Sequence, residues 1–138
     1  MKLFTFSKKE HLCKRNDFQN IFLKGKSIHH FPFRCVYLVR PADKLQIKIG
    51  ISVPKKTFKL AVKRNRIKRL IRETYRLNKH LLYESLQNQT IELLLLFIYT
   101  CKNEYTFKEM NKQINLLLNK IIAKDFVKQL KNQHIHEK

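Results

Sequence analysis

The residues able to do chemistry are concentrated between Lys55 and Lys79, where 11 cations face 1 acid, Glu73. With successive side chains about 100° apart on a helix, Asn65, Lys68, Arg69, Arg72, Arg76 and Lys79 share one side. Ile67, Leu70, Ile71, Thr74, Asn78, Leu81 and Leu82 share the opposite side, and Arg64 and Arg66 flank that apolar stripe. Solvated helix faces normally mix signs and gain about 0.2–0.5 kcal/mol per i,i+4 ion pair. A face of one sign is repulsive until a polyanion neutralises it. Guanidinium groups suit phosphate, because they bind its oxygens in a bidentate fashion. Lys55, Lys56 and Lys59 extend the same charge into the preceding loop.

Other chemistries find no support. The acids are scattered, and no D-x-D cluster suggests a two-metal hydrolytic site. Cys13, Cys35 and Cys101 are odd in number, lie far apart and show no C-x-x-C spacing, which points to a reducing compartment. The histidines nearest to them complete no zinc site, and the adjacent His29 and His30 read as loop residues. No catalytic residue and no protein metal ligand is therefore assigned.

The whole chain has 138 residues, 30 Lys+Arg against 10 Asp+Glu, a net charge of +20 and 43% hydrophobic residues. That composition fits one globular domain of usual size, residues 1–138, with a core of about 8–128 and a flexible tail at 131–138. Half of the charge lies in residues 55–79, and residues 1–40 carry a further +7. Met1–Lys14 has no sustained apolar run, and the longest apolar stretch, Ile91–Tyr99, is about half of what a membrane helix needs. A soluble, cytoplasmic protein with no membrane partner is expected.

The elements that must position the cations follow from periodicity. Lys14–Lys24 reads as a short helix, with Asn16 as a possible N-cap, Phe18, Ile21 and Phe22 at helical spacing, and Gly25 as its stop. Phe33–Arg40 reads as a strand. Gln46–Val53 alternates Ile47, Ile49, Ile51 and Val53 and reads as its antiparallel partner across the Pro41-Ala42-Asp43 turn. Ala61–Leu82 is one long helix. Ile91–Tyr99 suits a central strand buried on both faces. Phe107 to about Leu130 is a second long helix, opened by a capping box of Thr106 and Glu109. The order is α-β-β-α-β-α: an α+β fold with a small mixed sheet packed against helices.

The run KIGISVPKK (Lys48–Lys56) followed by AVKRNRIKRLIRETY (Ala61–Tyr75) resembles the signature of the bacterial ribonuclease P protein subunit. Arg64-Asn65-Arg66 matches the R-N-R core of that family, and KRNDFQNIF (Lys14–Phe22) with Gly25 looks like its first helix. The resemblance covers roughly residues 8–125. It implies an accessory subunit of ribonuclease P, the endoribonuclease that removes the 5′ leader of precursor tRNA. Hydrolysis would belong to the catalytic RNA subunit, with Mg²⁺ held by that RNA and the substrate.

The implied RNA-binding residues are Lys55, Lys56, Arg64, Asn65, Arg66, Lys68, Arg69, Arg72 and Arg76. The implied leader cleft comprises Lys14, Phe18 and Phe22, with Tyr37 a weaker candidate, since a one-residue slip of its strand inverts the exposed face. The implied partners are the catalytic RNA and precursor tRNA, with no small-molecule substrate. Spacing alone reads Phe18 and Phe22, at i and i+4, as ordinary core residues. A generic RNA-binding module and a DNA-binding helix are the competing readings of the charge. The DNA reading lacks a helix-turn-helix pair, because a β-rich stretch precedes the basic helix.

Overall fold

The computed structural model describes residues 8–12, 14–124 and 126. Its elements run α1 (Arg15–Lys24), β1 (Lys26–His30), β2 (Phe33–Pro41), β3 (Gln46–Ser52), α2 (Ala61–Asn78), α3 (His80–Leu86), β4 (Ile91–Tyr99) and α4 (Phe107–Ile122). A short 3-10 turn, Lys8–Glu10, precedes α1. The fold is α+β, with a four-stranded mixed sheet in the order β1-β2-β4-β3.

β4 organises the molecule. Its sequence IELLLLFIY is apolar on both sides, so it is driven to the middle of the sheet, between two strands and two helical layers. Leu93, Leu95, Phe97 and Tyr99 join the larger core, which β4 shares with Ile67, Ile71 and Tyr75 of α2 and with Met110, Ile114 and Leu117 of α4. Leu94 and Leu96 join the smaller core beneath α1, with Leu12, Ile21, Val36 and Leu38. The result is three layers: α1, the sheet, and the α2–α4 pair.

The hairpin expected between Phe33–Arg40 and Gln46–Val53 does not form. β2 pairs antiparallel with β4 along its whole length, from Phe33 opposite Tyr99 to Pro41 opposite Ile91. β3 pairs parallel with the other side of β4, from Gln46 opposite Glu92 to Ser52 opposite Ile98. The short Pro41–Asp43 turn therefore carries the chain past the position that β4 fills. β1 had no sequence signal: of KSIHH only Ile28 is buried, as befits an edge strand antiparallel to β2. His29 and His30 consequently lie in a strand rather than a loop, and His30 Nε2 sits 2.8 Å from Gln113 Oε1 of α4.

The first helix is N-capped by Lys14, without a side-chain capping bond, and Asn16 falls inside its first turn. Gly25 ends it for a steric reason, since a Cβ there would lie 2.3 Å from the Ile21 carbonyl oxygen and 2.8 Å from Val36 Cγ1. The long helix starts at Ala61 as expected but breaks at Lys79, where Leu82 N bonds the Lys79 carbonyl at 3.0 Å in a tighter i,i+3 turn. α4 opens at Phe107 with the expected capping box, Glu109 N donating to Thr106 Oγ1 at 3.2 Å and Thr106 N to Glu109 Oε1 at 3.2 Å. The helix ends at Ile122 with Ala123 as its C-cap, short of the expected Leu130; of residues 125–138, the expected 131–138 tail included, only Phe126 is described, and it is buried 5.7 Å from the Tyr37 ring.

Candidate nucleic-acid interface

The basic helix is held by a buried face broader than its apolar stripe. Ile67, Ile71, Thr74, Asn78 and Leu82 are buried as the periodicity requires, with Leu70 and Leu81 half-buried. Two further residues turn inward. Tyr75 packs edge-on against Phe97, with ring centroids 6.1 Å apart. Lys79, expected on the cationic side, is only 4% exposed; its Nζ lies 2.9 Å from both carboxylate oxygens of Glu10. The segment before α1 covers this end of the helix, which helix periodicity could not show.

An amide ladder fixes α2 against α4. Asn78 Nδ2 donates to the Thr74 carbonyl and to Asn111 Oδ1, each at 2.7 Å, and Asn115 Nδ2 donates to Asn78 Oδ1 at 3.1 Å. Bonds of this kind hold a helix in one register, because an orphaned buried amide costs about 1–3 kcal/mol.

The remaining face is the cationic one. Asn65, Arg66, Arg69 and Arg72 are exposed and Lys68 is half-buried. Among the described residues no acid pairs with Lys68, Arg69 or Arg72. Arg66 meets Glu104 at 3.5 Å in an exposed pair, which contributes little. Arg76 is drawn to Glu73 at 2.6 Å, and hydrogen bonding from its guanidinium holds the Glu73 carboxyl below the ordinary carboxylate range. The ridge is thus Asn65, Arg66, Lys68, Arg69 and Arg72, with Lys68, Arg69 and Arg72 uncompensated by any described acid and Arg66 only loosely paired.

The loop ahead of α2 is built onto it. Phe58 inserts into the core against Tyr99, with centroids 6.2 Å apart, and Arg64 donates to the Phe58 and Lys59 carbonyls at 2.7 and 2.8 Å. Lys55, Lys56 and Lys59 stay exposed on this loop, and Lys63 adds a further exposed cation at the start of the helix. Lys63 was missed because it lies off the ridge on the helical wheel.

A second surface lies on α1, across the sheet from α2. Lys14 is exposed, and Phe22 is 66% exposed, so core packing does not account for it. Phe18 is half-buried over the sheet at Gly50, where a Cβ would come within 3.2 Å of its Cε1. Tyr37 does not join them. The chain register points Phe33, Cys35, Tyr37 and Val39 into the larger core, so Tyr37 is buried on the far face of the sheet, against Phe126. The side of β2 that faces α1 offers Val36, Leu38 and Arg40 instead, and the last of these bridges Asp17 at 3.1 Å and Glu92.

Cys35 is fully buried and burial pushes its thiol well above the ordinary range; Cys101 is buried too, and Cys13 lies outside the described residues. Both thiols read as core packing. Among the described residues no three His, Cys, Asp or Glu side chains converge as metal ligands would. No described helix is long and apolar enough to cross a membrane.

Fold and surface define a class: a small α+β domain that presents a one-signed basic helix on one side and a partly exposed aromatic helix on the other. The family model described as Ribonuclease P matches residues 6–122. The ribonuclease P protein component of Porphyromonas gingivalis is 36% identical over 131 residues, covering 94% of this chain and 96% of that protein. That of Dictyoglomus thermophilum is 45% identical over 87 residues, covering 63% and 70%. The solved structure of the Staphylococcus aureus RNase P protein is similar with a TM-score of 0.59 and 28% identity, covering 86% of this chain and 99% of that one. The Thermotoga maritima RNase P protein gives 0.60 and 25%, with 84% and 98% covered. The chain belongs to the ribonuclease P protein family.

Proposed function

We propose that this chain serves ribonuclease P as an RNA-binding subunit, gripping the catalytic RNA and the 5′ leader of precursor tRNA so that the leader is removed. The observation that carries this reading is the ridge Asn65, Arg66, Lys68, Arg69 and Arg72 on a helix locked by the Asn78–Asn111 bond, in which Lys68, Arg69 and Arg72 meet no described acid and Arg66 meets Glu104 only loosely. Rigid guanidinium groups bind phosphate oxygens and release counterions from a folded RNA. Lys55 and Lys56 continue the grip from the loop, and Arg64 acts on that loop as well as on RNA. Arg76 contributes less, because Glu73 competes for it.

The leader is assigned to α1. Phe22 offers an exposed ring on which an unpaired base stacks, worth about 1–3 kcal/mol per base, and Lys14 supplies a phosphate contact. Phe18 serves both sides, holding α1 to the sheet and leaving part of its ring at the surface.

Among the described residues no three carboxylates or other ligating side chains converge as a Mg²⁺ site needs, and five of the carboxylates are engaged by cations. Asp17 and Glu92 hold Arg40, Glu10 holds Lys79, Glu73 holds Arg76 and Glu104 meets Arg66. The ion implied for hydrolysis is therefore assigned to the catalytic RNA and the substrate, and the protein's part is to lower phosphate repulsion around them. Reconstitution with a bacterial ribonuclease P RNA at low Mg²⁺ tests the reading. Faster leader cleavage than with RNA alone is expected; no gain would leave only a generic RNA-binding module.

A further inference from the structure

A cleft of about 570 Å³ opens where the segment before α1, the start of α1, the start of β3 and α3 meet. Its rim carries Lys9, Lys14 and Lys44, all exposed, and none of them is ion-paired to a described acid. Its wall includes Asp17, whose side chain is only 6% exposed. Asp17 Oδ1 lies 3.1 Å from Arg40 Nη1, whereas Oδ2 accepts a hydrogen bond from no described residue. Leu45 and the ring of Tyr83 form an apolar flank.

These features ask for two things of one ligand. Three uncompensated ammonium groups at the mouth ask for an anion. A buried carboxylate oxygen without a donor costs about 1–3 kcal/mol, and it asks for an N–H or O–H. A bare oxyanion meets the first demand and is repelled by the second. A nucleoside phosphate meets both, with the phosphate on the lysines and a sugar hydroxyl or base amino group donating to Asp17. The base would then lie along Leu45 and Tyr83. The volume is in the range of about 300–1,000 Å³ usual for small-ligand clefts. Oδ2 is covered from solvent, so the side chains over it must shift for the donor to reach it.

We propose that this cleft binds a nucleoside phosphate, free or as one residue of an RNA strand, with Lys9, Lys14 and Lys44 on the phosphate and Asp17 on the nucleoside. The site is distinct from the α2 ridge and shares only Lys14 with the α1 surface. It is tested on the protein alone, so its failure leaves the ribonuclease P reading untouched.

The full chain is titrated at low salt with AMP, GMP, CMP, UMP and inorganic phosphate, following backbone amide resonances. Saturable shifts at Lys44–Lys48 and Asp17 are expected, with at least one nucleotide bound about tenfold more tightly than inorganic phosphate, as one added hydrogen bond to a charged group provides. Lys44→Ala, at an exposed position, should weaken the nucleotide several-fold. Asp17→Asn should bring it down to the level of phosphate. Inorganic phosphate binding as tightly as every nucleotide to the unaltered protein, or shifts along α2 in place of the cleft, would overturn the proposal, even if Asp17→Asn failed to fold. A short single-stranded RNA identifies the source: tighter binding that Lys44→Ala weakens means a strand residue, and no gain over the mononucleotide means a free nucleotide.

Discussion

The guanidinium of Arg64 and the backbone carbonyl of Phe58 are joined by a 2.7 Å hydrogen bond, and the same Nη1 reaches the Lys59 carbonyl at 2.8 Å. The two arginines of the R-N-R motif are therefore unequal. Arg64 closes the loop that carries Lys55 and Lys56, whereas Arg66 stands 66% exposed with only a loose contact to Glu104. Arg64→Ala should cost about 1–3 kcal/mol for two carbonyls deprived of their donor, and should weaken RNA binding. Arg66→Ala should stay within about 0.5 kcal/mol in stability while lowering the salt slope of RNA binding by about one. Denaturant titration and binding at several salt concentrations separate the two. Equal stabilities would remove the loop-closing role.

Phe18 and Phe22 should part in the same way. Phe22→Ala leaves stability nearly unchanged and weakens leader-bearing precursor tRNA but not mature tRNA. Phe18→Ala does that and also lowers stability, because its ring closes the smaller core over Gly50. Equal loss of both tRNAs for Phe22→Ala would show that its ring does not hold the leader.

Gly25→Ala should destabilise the fold by about 1–3 kcal/mol or more, the usual range for overpacking. The added Cβ would meet backbone at the Ile21 and Tyr37 carbonyls, which cannot swing aside as a side chain can. A thermal midpoint equal to that of the parent would contradict this crowding.

Lys79 and Glu10 form a charge pair in which Tyr83 OH also donates to Glu10 Oε2 at 3.0 Å. Lys79→Met removes the ammonium from a half-buried carboxylate that keeps its bond from Tyr83 and should cost about 1–3 kcal/mol, whereas a Lys79→Met, Glu10→Gln double variant should recover much of it. Chemical denaturation of the three proteins checks this. A double variant as weak as the single one would mean that packing of the lysine stem, not charge, is what matters.

The capping box gives a pH signature. Hydrogen bonds from the Thr106 hydroxyl and backbone N–H hold the Glu109 carboxyl below the ordinary carboxylate range. A group depressed in the folded state stabilises it fully above its unfolded pKa and loses that contribution as pH falls through its folded one. Thr106→Ala should therefore destabilise the fold near neutrality, and the gap to the parent should shrink as acidification protonates Glu109. A gap independent of pH would leave only the Thr106 hydroxyl at work.

Periodicity was enough to locate α2, β4 and the capped start of α4, because each has one dominant signal: a stripe, a run or a box. It could not order the strands. Gln46–Val53 alternates well, but alternation names a buried face and not a neighbour, so β4 displacing β2 from β3 was invisible. β1 escaped because a polar edge strand needs only Ile28. At the interface, the exposed ridge followed from the helical wheel, whereas the inward turn of Lys79 and the capture of Arg76 depended on Glu10 and Glu73 finding them. Tyr37 depended on a register that one residue of slip reverses, and the structure settles it into the larger core.

The place of β4 between β2 and β3 sets an order of events during synthesis. Until Ile91–Tyr99 has left the ribosome, β3 has no strand to pair with and α2 lacks most of the sheet face that it packs on. Fixing the arginine ridge thus waits on contacts distant in sequence, which form late and slowly. A nascent chain ending before β4 carries most of the positive charge of the protein with no framework to aim it, so shape, more than charge, is what the last third of the chain contributes.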